Sequence, residues 1–311
     1  MLIIFESILP VFLLVLLGVW LKRSPLIDNT LWEGLEQFGY YILFPALLFS
    51  TMAQADFAGL QPDTTGIATI SSITLMSGLL LLLWPLLRNR HVTGSSFTSV
   101  FQTATRWNGF MALAIANKLY GPIGLTLTAL VMTLIIIPIN LYNIGVLVWF
   151  NGGARGLRFF AFKIVTNPLI VASVAGIVLN LAGLTVYGPV MSAVDMLASA
   201  SLSLGLVMVG AGLKVADALK PRRVVVLAVF LKLIIMPVFM VGMSYLLGMR
   251  GDPLLVIALG ASVPTAMNGY LLAKQMGGDA PLYAAIATLQ TLAAFFTIPL
   301  VLAVTGYIAA G

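Results

Sequence analysis

Two stretches of this chain place an Asn-Gly pair inside a hydrophobic run: TRWNGFMALAIANKLYG at residues 105–121 and SVPTAMNGYLLAKQMGG at residues 262–278. The first asparagine is Asn108 and the second is Asn268, so the second pair follows the first after about half of the 311 residues. Asn and Gly favour turns and helix caps over helix interiors. Both stretches are therefore predicted to interrupt a helix.

The composition is that of a membrane protein. Hydrophobic residues make up 60% of the chain, charged residues 8%, and the mean hydropathy is +1.08, whereas soluble domains carry roughly 25% charged residues. The absence of cysteine excludes disulfides and Cys-ligated metals, and a single histidine, His91, argues against a His-ligated metal. We therefore expect neither metal nor cofactor. The net charge is +6. Because the basic residues lie between the hydrophobic runs, they indicate membrane topology rather than nucleic-acid binding.

The hydrophobic pattern predicts ten membrane spans, each of about 20 residues or more. They are drawn at 3–22, 31–52, 64–87, 95–118, 122–149, 159–183, 187–213, 222–247, 253–275 and 280–308. The polar connection NGGARGLR at 151–158 is the seam between two halves. The chain is accordingly predicted to have a first repeat at 1–150 (spans 1–5) and a second at 151–311 (spans 6–10).

The basic residues predict the orientation of these spans. Most fall at the odd-numbered connections: Lys22, Arg23, Arg88, Arg90, Arg155, Arg158, Lys214, Lys220, Arg222, Arg223 and Lys274. The opposite side receives Lys118 and Arg250. Because excess Lys and Arg mark the cytoplasmic side, both termini are predicted to lie on the outer side of the cell membrane.

The two halves share landmarks in nearly one register, which indicates a duplication. The matched residues, besides the two Asn-Gly pairs, are Pro10 with Pro168, Gly18 with Gly176, Asp56 with Asp217, and Pro138 with Pro299. Each half has five spans, an odd number, so the second must enter the membrane upside down relative to the first. The predicted fold is an all-α membrane protein with two inverted five-helix repeats.

Broken helices at corresponding positions of two repeats point to the binding site of a transporter. The two breaks lie in spans four and nine, which enter from opposite sides and are predicted to cross near the bilayer midplane. There, helix N-termini and the side chains of Asn108 and Asn268 would hold an anion such as a carboxylate. The candidate substrate-binding residues are Asn108, Asn268, Arg106, Gly109, Gly269 and Pro264.

Arg106 lies about eleven residues into span four, roughly 16 Å at 1.5 Å per residue. An arginine at that depth usually faces a cavity or a partner, and its guanidinium fits a carboxylate in two-pronged geometry. Three interpretations stay open: contact with substrate, pairing with a fixed acid, or extension towards the cytoplasm.

Other polar residues in the spans are less specific. Lys232 in span eight is either a coupling group or a lysine that extends to the surface. Asp195 in span seven is a candidate proton carrier or a solvated acid at a helix end. Lys163, at the start of span six, is expected to be interfacial.

Several segments resemble the auxin efflux carrier family, which includes plant PIN-type carriers and bacterial permeases for organic acids. They are YYILFPALLF (40–49), RWNGF (106–110), KIVTNPLI (163–170), KLIIMP (232–237) and ASVPTAMNGYLLAKQMGGDA (261–280). The resemblance implies crossed broken helices at spans four and nine, a scaffold of spans one, two, six and seven, and a transport domain of the others. It also implies an elevator-type movement, substrate contact by Asn108 and Asn268, and a homodimer.

The expected function is secondary transport of a small organic anion, such as malonate, malate or an auxin-like acid. The alternative is a sodium-coupled symporter of a bile-acid-like or other organic solute, since oxygens at the breaks would also suit Na⁺. Proton coupling stays open as well. An enzyme is not expected, because the chain has no HExxH motif, no paired catalytic aspartates and no serine with an evident base.

Overall fold

The computed structural model describes residues 2–25, 27–56, 62–88, 92–151, 166–214 and 222–310. Within these residues the fold is entirely helical and has no strand. Six of the described helical stretches are long and apolar enough to cross a membrane: Phe5–Arg23, Asp63–Arg88, Gly94–Asn151, Gly188–Ala211, Arg223–Leu246 and Ala280–Ala309. The prediction of an all-α membrane protein is thereby confirmed, while ten spans in inverted repeats stay a prediction.

The described helices follow one another along the chain. In the first half they are α1 (Leu2–Arg23), α2 (Asn29–Phe38), π1 (Gly39–Leu43), α3 (Phe44–Ala53), α4 (Pro62–Arg88), α5 (Gly94–Thr105) and α6 (Gly109–Asn151). In the second half they are α7 (Pro168–Leu181), α8 (Gly188–Ala211), α9 (Arg223–Phe230), π2 (Leu231–Ile235), α10 (Met236–Leu246), α11 (Gly251–Ser262), α12 (Asn268–Gln275) and α13 (Ala280–Ala310). Gly121, with φ 60° and ψ −150°, divides α6 into two helical segments.

The two π-helical segments have the same sequence context. Each ends two residues before a proline, Pro45 after π1 and Pro237 after π2. A proline lacks the N–H that would bond the carbonyl one turn earlier, and its ring crowds that carbonyl. A wider π turn accommodates this without ending the helix. Both spans therefore continue through their prolines with a local bulge.

The described helices pack in two groups. The first group contains α1, α2–π1–α3, α7 and α8, with close contacts between α1 and α8 and between α3 and α7. The second group contains α4, α5, α6, α9–π2–α10, α11, α12 and α13. Contacts between the groups are made chiefly by α6, which touches α1, α3, α7 and α8. The first group holds the helices that the family resemblance assigns to a scaffold.

Glycines bring the backbones of α1 and α8 together. A Cβ atom at Gly210 would overlap the carbonyl oxygen of Val15, and one at Gly18 would overlap the carbonyl oxygen of Val207. Small residues allow such close approach between membrane helices, where van der Waals contact drives association. The first group therefore depends on these two positions having no side chain.

We expect Gly210→Ala to destabilise the protein, because the added methyl group cannot fit beside the Val15 carbonyl without moving a helix. Overpacking of this kind costs about 1–3 kcal/mol. Gly242→Ala in α10 is the matched control, since its added Cβ would meet no atom of another helix within 4 Å. Thermal unfolding in detergent should show a lower midpoint for Gly210→Ala only. Equal midpoints for both variants and the native chain would contradict the close packing.

Candidate functional site

The first break lies between α5 and α6. The 12-residue helix α5 ends at Thr105, and its C-cap residue, Arg106, is extended with φ −75° and ψ 158°. The chain stays non-helical through Asn108, and α6 begins at Gly109. The predicted Asn-Gly interruption is therefore a clean stop and restart of the helix.

The second break lies between α11 and α12. The helix α11 also has 12 residues, and its C-cap, Val263, is extended with φ −70° and ψ 151°. The non-helical segment runs to Met267, and α12, with eight residues, begins at Asn268 itself. The two breaks thus leave their first helices in the same backbone conformation.

A backbone hydrogen bond joins the two breaks. The Asn108 N–H donates to the carbonyl oxygen of Pro264 at 2.7 Å, and both residues are buried. Beside this bond, the Trp107 ring lies against Gly260 of α11, where a Cβ atom would overlap it. The interruptions predicted from two distant stretches of sequence are therefore in direct contact.

The two asparagines at the breaks have different environments. Asn108 is only 2% exposed, and its Oδ1 accepts a hydrogen bond from the Met111 N–H at 3.2 Å, which caps α6. Asn268 is exposed and its side chain makes no hydrogen bond to the described residues. Counted from the end of the preceding 12-residue helix, the counterpart of Asn108 is Thr265 rather than Asn268. The shared Asn-Gly pattern therefore does not give the two asparagines equivalent positions.

The glycine after each asparagine allows close packing. A Cβ atom at Gly109 would crowd Met132 and lie 3.0 Å from Phe44 Cζ, and one at Gly269 would overlap the Tyr283 hydroxyl. That hydroxyl donates to the carbonyl oxygen of Ala266. Gly269 thus makes room for a side chain that satisfies a backbone carbonyl of the second break.

Arg106 is held inside the protein. Its side chain is 8% exposed, and its Nη2 donates to Asn140 Oδ1 on α6 at 3.2 Å. Its Nε is buried without a hydrogen-bond partner among the described residues, and its electrostatic neighbours are Tyr40 and Tyr283. No carboxylate of the described residues pairs with it, and burial argues against its extension towards the cytoplasm. Substrate contact stays a prediction, as does pairing with an acid outside the described residues.

One turn before Arg106, Gln102 is fully buried, and within the part of the chain that the structure describes neither its amide nitrogen nor its amide oxygen has a hydrogen-bond partner. Its backbone carbonyl accepts from the Arg106 N–H at 2.9 Å, so the two residues occupy the last turn of α5. Buried polar side chains in proteins are nearly always paired, and an exception calls for an explanation. Gln102 and Arg106 together present unpaired polar atoms beside the first break.

The remaining sequence-predicted residues fall in three places. Lys232 in π2 is 1% exposed, so it does not extend to the surface, and π2 packs against α5, α11 and α13. Asp195 accepts hydrogen bonds from Ser50 Oγ at 2.6 Å and Gln54 Nε2 at 2.9 Å, which join α8 to α3 within the first group. Lys163 lies outside the described residues.

The structure adds polar residues that the sequence analysis did not single out. Tyr283 and Gln290 on α13 bond the second break, and Asn140 on α6 bonds Arg106. Each stands in an otherwise apolar run. Polar side chains inside a membrane are unfavourable and often functional. A polar residue within an apolar run was therefore the sequence feature that could have identified these three.

Comparison with known proteins gives consistent matches along the chain. The family model described as membrane transport protein matches residues 3–148 and 154–302. An uncharacterized transporter of Methanothermobacter thermautotrophicus is 28% identical over 309 residues, covering 95% of this chain and 96% of the relative. The uncharacterized transporter YfdV of Escherichia coli K12 is 20% identical over 279 residues, covering 86% and 87%. These matches are to transporters and indicate no catalytic activity.

We expect the two asparagines to differ in their contribution to stability. Asn108→Ala removes the cap of α6 and should cost about 1 kcal/mol, the usual effect of losing an N-cap side chain. Asn268→Ala removes no hydrogen bond to the described residues and should leave the thermal midpoint within a degree or two, by the usual scaling of small free-energy changes. Thermal unfolding in detergent compares them. A larger loss for Asn268→Ala would contradict the assigned environments.

Proposed function

Because the chain belongs to the membrane transport protein family, which includes the auxin efflux carriers, we propose that it moves a small organic anion across the cell membrane by secondary transport. The proposed cargo is a mono- or dicarboxylate, such as malonate, malate or an auxin-like acid. It binds where the two breaks meet. The resemblance in sequence is thereby confirmed at the level of the family, and substrate and mechanism are the proposal.

The observation that carries this proposal is the set of unpaired polar atoms in the last turn of α5. Arg106 Nε and both amide atoms of Gln102 are buried without hydrogen-bond partners among the described residues. The exposed Asn268 side chain at the start of α12 makes no hydrogen bond to those residues either. A carboxylate accepts several hydrogen bonds and carries the negative charge that would compensate a buried guanidinium. The N-terminal ends of α6 and α12 add partial positive charge at the same breaks.

The two groups of helices support an elevator-type mechanism. Both breaks belong to the second group, so a bound anion moves with that group past the first group. Contacts between the groups would have to open in that movement, among them two just after α8. Lys214 Nζ donates to Tyr270 OH on α12 at 3.3 Å, and Met267 Cγ lies 3.4 Å from the Cβ position of Gly212. With both termini outside, as the basic residues predict, these contacts face the cytoplasm. A homodimer is the expected assembly.

A binding screen tests the cargo and the site together. Carboxylates of one class should raise the thermal midpoint of the purified protein, because a ligand at 100 times its Kd stabilises by about 2.7 kcal/mol. Asn268→Ala and Arg106→Lys should abolish the shift, the first without loss of stability. Gln275→Ala, an exposed amide at the other end of α12, should keep it. The site assignment fails if Asn268→Ala retains a full shift and full transport.

Coupling to sodium is the competing proposal, and ion replacement separates the two. We expect carboxylate uptake into proteoliposomes to be unchanged when choline replaces sodium. The reason is that the buried Arg106 already makes this region positive, which opposes a second cation. Uptake that falls several-fold without sodium would favour the symporter. A mono-, di- and tricarboxylate panel with no stabilising member would reject the anion itself.

A further inference from the structure

Gln290 lies in the first half of α13 and is fully buried, and its side-chain hydrogen bonds go to backbone groups of other segments. Its Oε1 accepts from the Thr265 N–H at 2.9 Å. Its Nε2 donates to the carbonyl oxygens of Thr103 at 3.1 Å and Ala228 at 3.3 Å. One amide therefore links α13 to the second break, to α5 and to α9.

Two of these backbone groups are available because a helix is interrupted, and the third lies close to a helical bulge. In a continuous helix the Thr103 carbonyl would bond the N–H of residue 107, but α5 ends at Thr105. The Thr265 N–H lies in the non-helical segment after α11 and has no helical acceptor. The Ala228 carbonyl stands just before π2, where the ladder shifts, and also accepts from the Leu231 N–H.

We propose that Gln290 is the positioning residue of the site: it fixes the two breaks and the π2 segment relative to one another. Only a side chain with one acceptor and two donors at this reach meets all three groups. Gln290 does not touch the proposed cargo. It holds Thr265 in the second break and Thr103, which lies between Gln102 and Arg106 on α5, in one arrangement.

The same bonds connect the breaks to Lys232. Ala228 and Lys232 are one turn apart on the same span, so the bond to the Ala228 carbonyl sets the depth of π2 against α5. The buried Lys232 side chain is thereby kept in π2, against α5, as the second group moves. For the effect on transport, this inference rests on the proposed carboxylate function; for the effect on the breaks, it does not.

The test uses the full-length protein with Gln290→Met, which keeps the length of the side chain and removes all three hydrogen bonds. Thr291→Val is the matched control, since the buried Thr291 bonds only the carbonyl of Ala287 in its own helix. If Gln290→Met does not yield folded protein, Gln290→Asn, with an amide too short to reach, replaces it. Hydrogen–deuterium exchange and carboxylate uptake are measured on each.

We expect exchange in the peptide covering residues 263–268 to rise at least tenfold in Gln290→Met and to stay unchanged in α8 and in Thr291→Val. We also expect the KM for the carboxylate to rise about tenfold with a smaller change in maximal rate. Unchanged exchange at 263–268, or an increase spread evenly over the protein, would overturn the positioning role. Local loosening with an unchanged KM would overturn its role in binding. If the native chain binds no carboxylate, the proposed function fails, and the exchange result still tests Gln290.

Discussion

The structure depends on satisfying backbone groups that two interrupted helices leave without partners inside the membrane. An unpaired N–H or C=O costs several kcal/mol in hydrocarbon, so broken helices are tolerated only where protein covers them. Here the hydrogen bond from the Asn108 N–H to the Pro264 carbonyl pairs a backbone group of one break with a backbone group of the other. Each break thereby shields the other from lipid. Neither interruption would be stable alone, and this requirement ties the first half of the chain to the second.

The same requirement explains why certain polar side chains lie deep in apolar helices. Asn108 Oδ1 caps α6, the Tyr283 hydroxyl bonds the Ala266 carbonyl, and Gln290 bonds three backbone groups near the breaks. A polar side chain in lipid is unfavourable by itself, but here each replaces a missing helical hydrogen bond. Gln102 and the Nε of Arg106 stand apart, because they serve no such purpose. In the proposed function, this contrast separates groups that hold the site from groups that bind the cargo.

The sequence predicted where the helices break, because Asn, Gly and Pro act locally on the backbone. It did not predict how the breaks correspond. The first non-helical segment has three residues, 106–108, and the second has five, 263–267. Counted from the end of the preceding helix, Asn268 therefore does not occupy the position that corresponds to Asn108. The role of Gln290 was also out of reach, since it depends on three segments that only tertiary packing brings together. The bulge π2 was hidden for a simpler reason: KLIIMP fits an ordinary span until Pro237 removes a donor.

Electric charge gives the region of the breaks a preference for anions, which hydrogen bonding alone does not provide. Arg106 is buried, and no described carboxylate pairs with it. A fixed acid would stabilise this cation but would also cancel the attraction for an anion, whereas neutral amides such as Asn140 and Gln102 leave it intact. In the proposed mechanism the cargo itself supplies the compensating charge. The second group then crosses the low-dielectric interior of the membrane at a lower free-energy cost when the cargo is bound. An empty site would carry an uncompensated positive charge past the first group. Coupling of movement to occupancy would follow from this electrostatic cost.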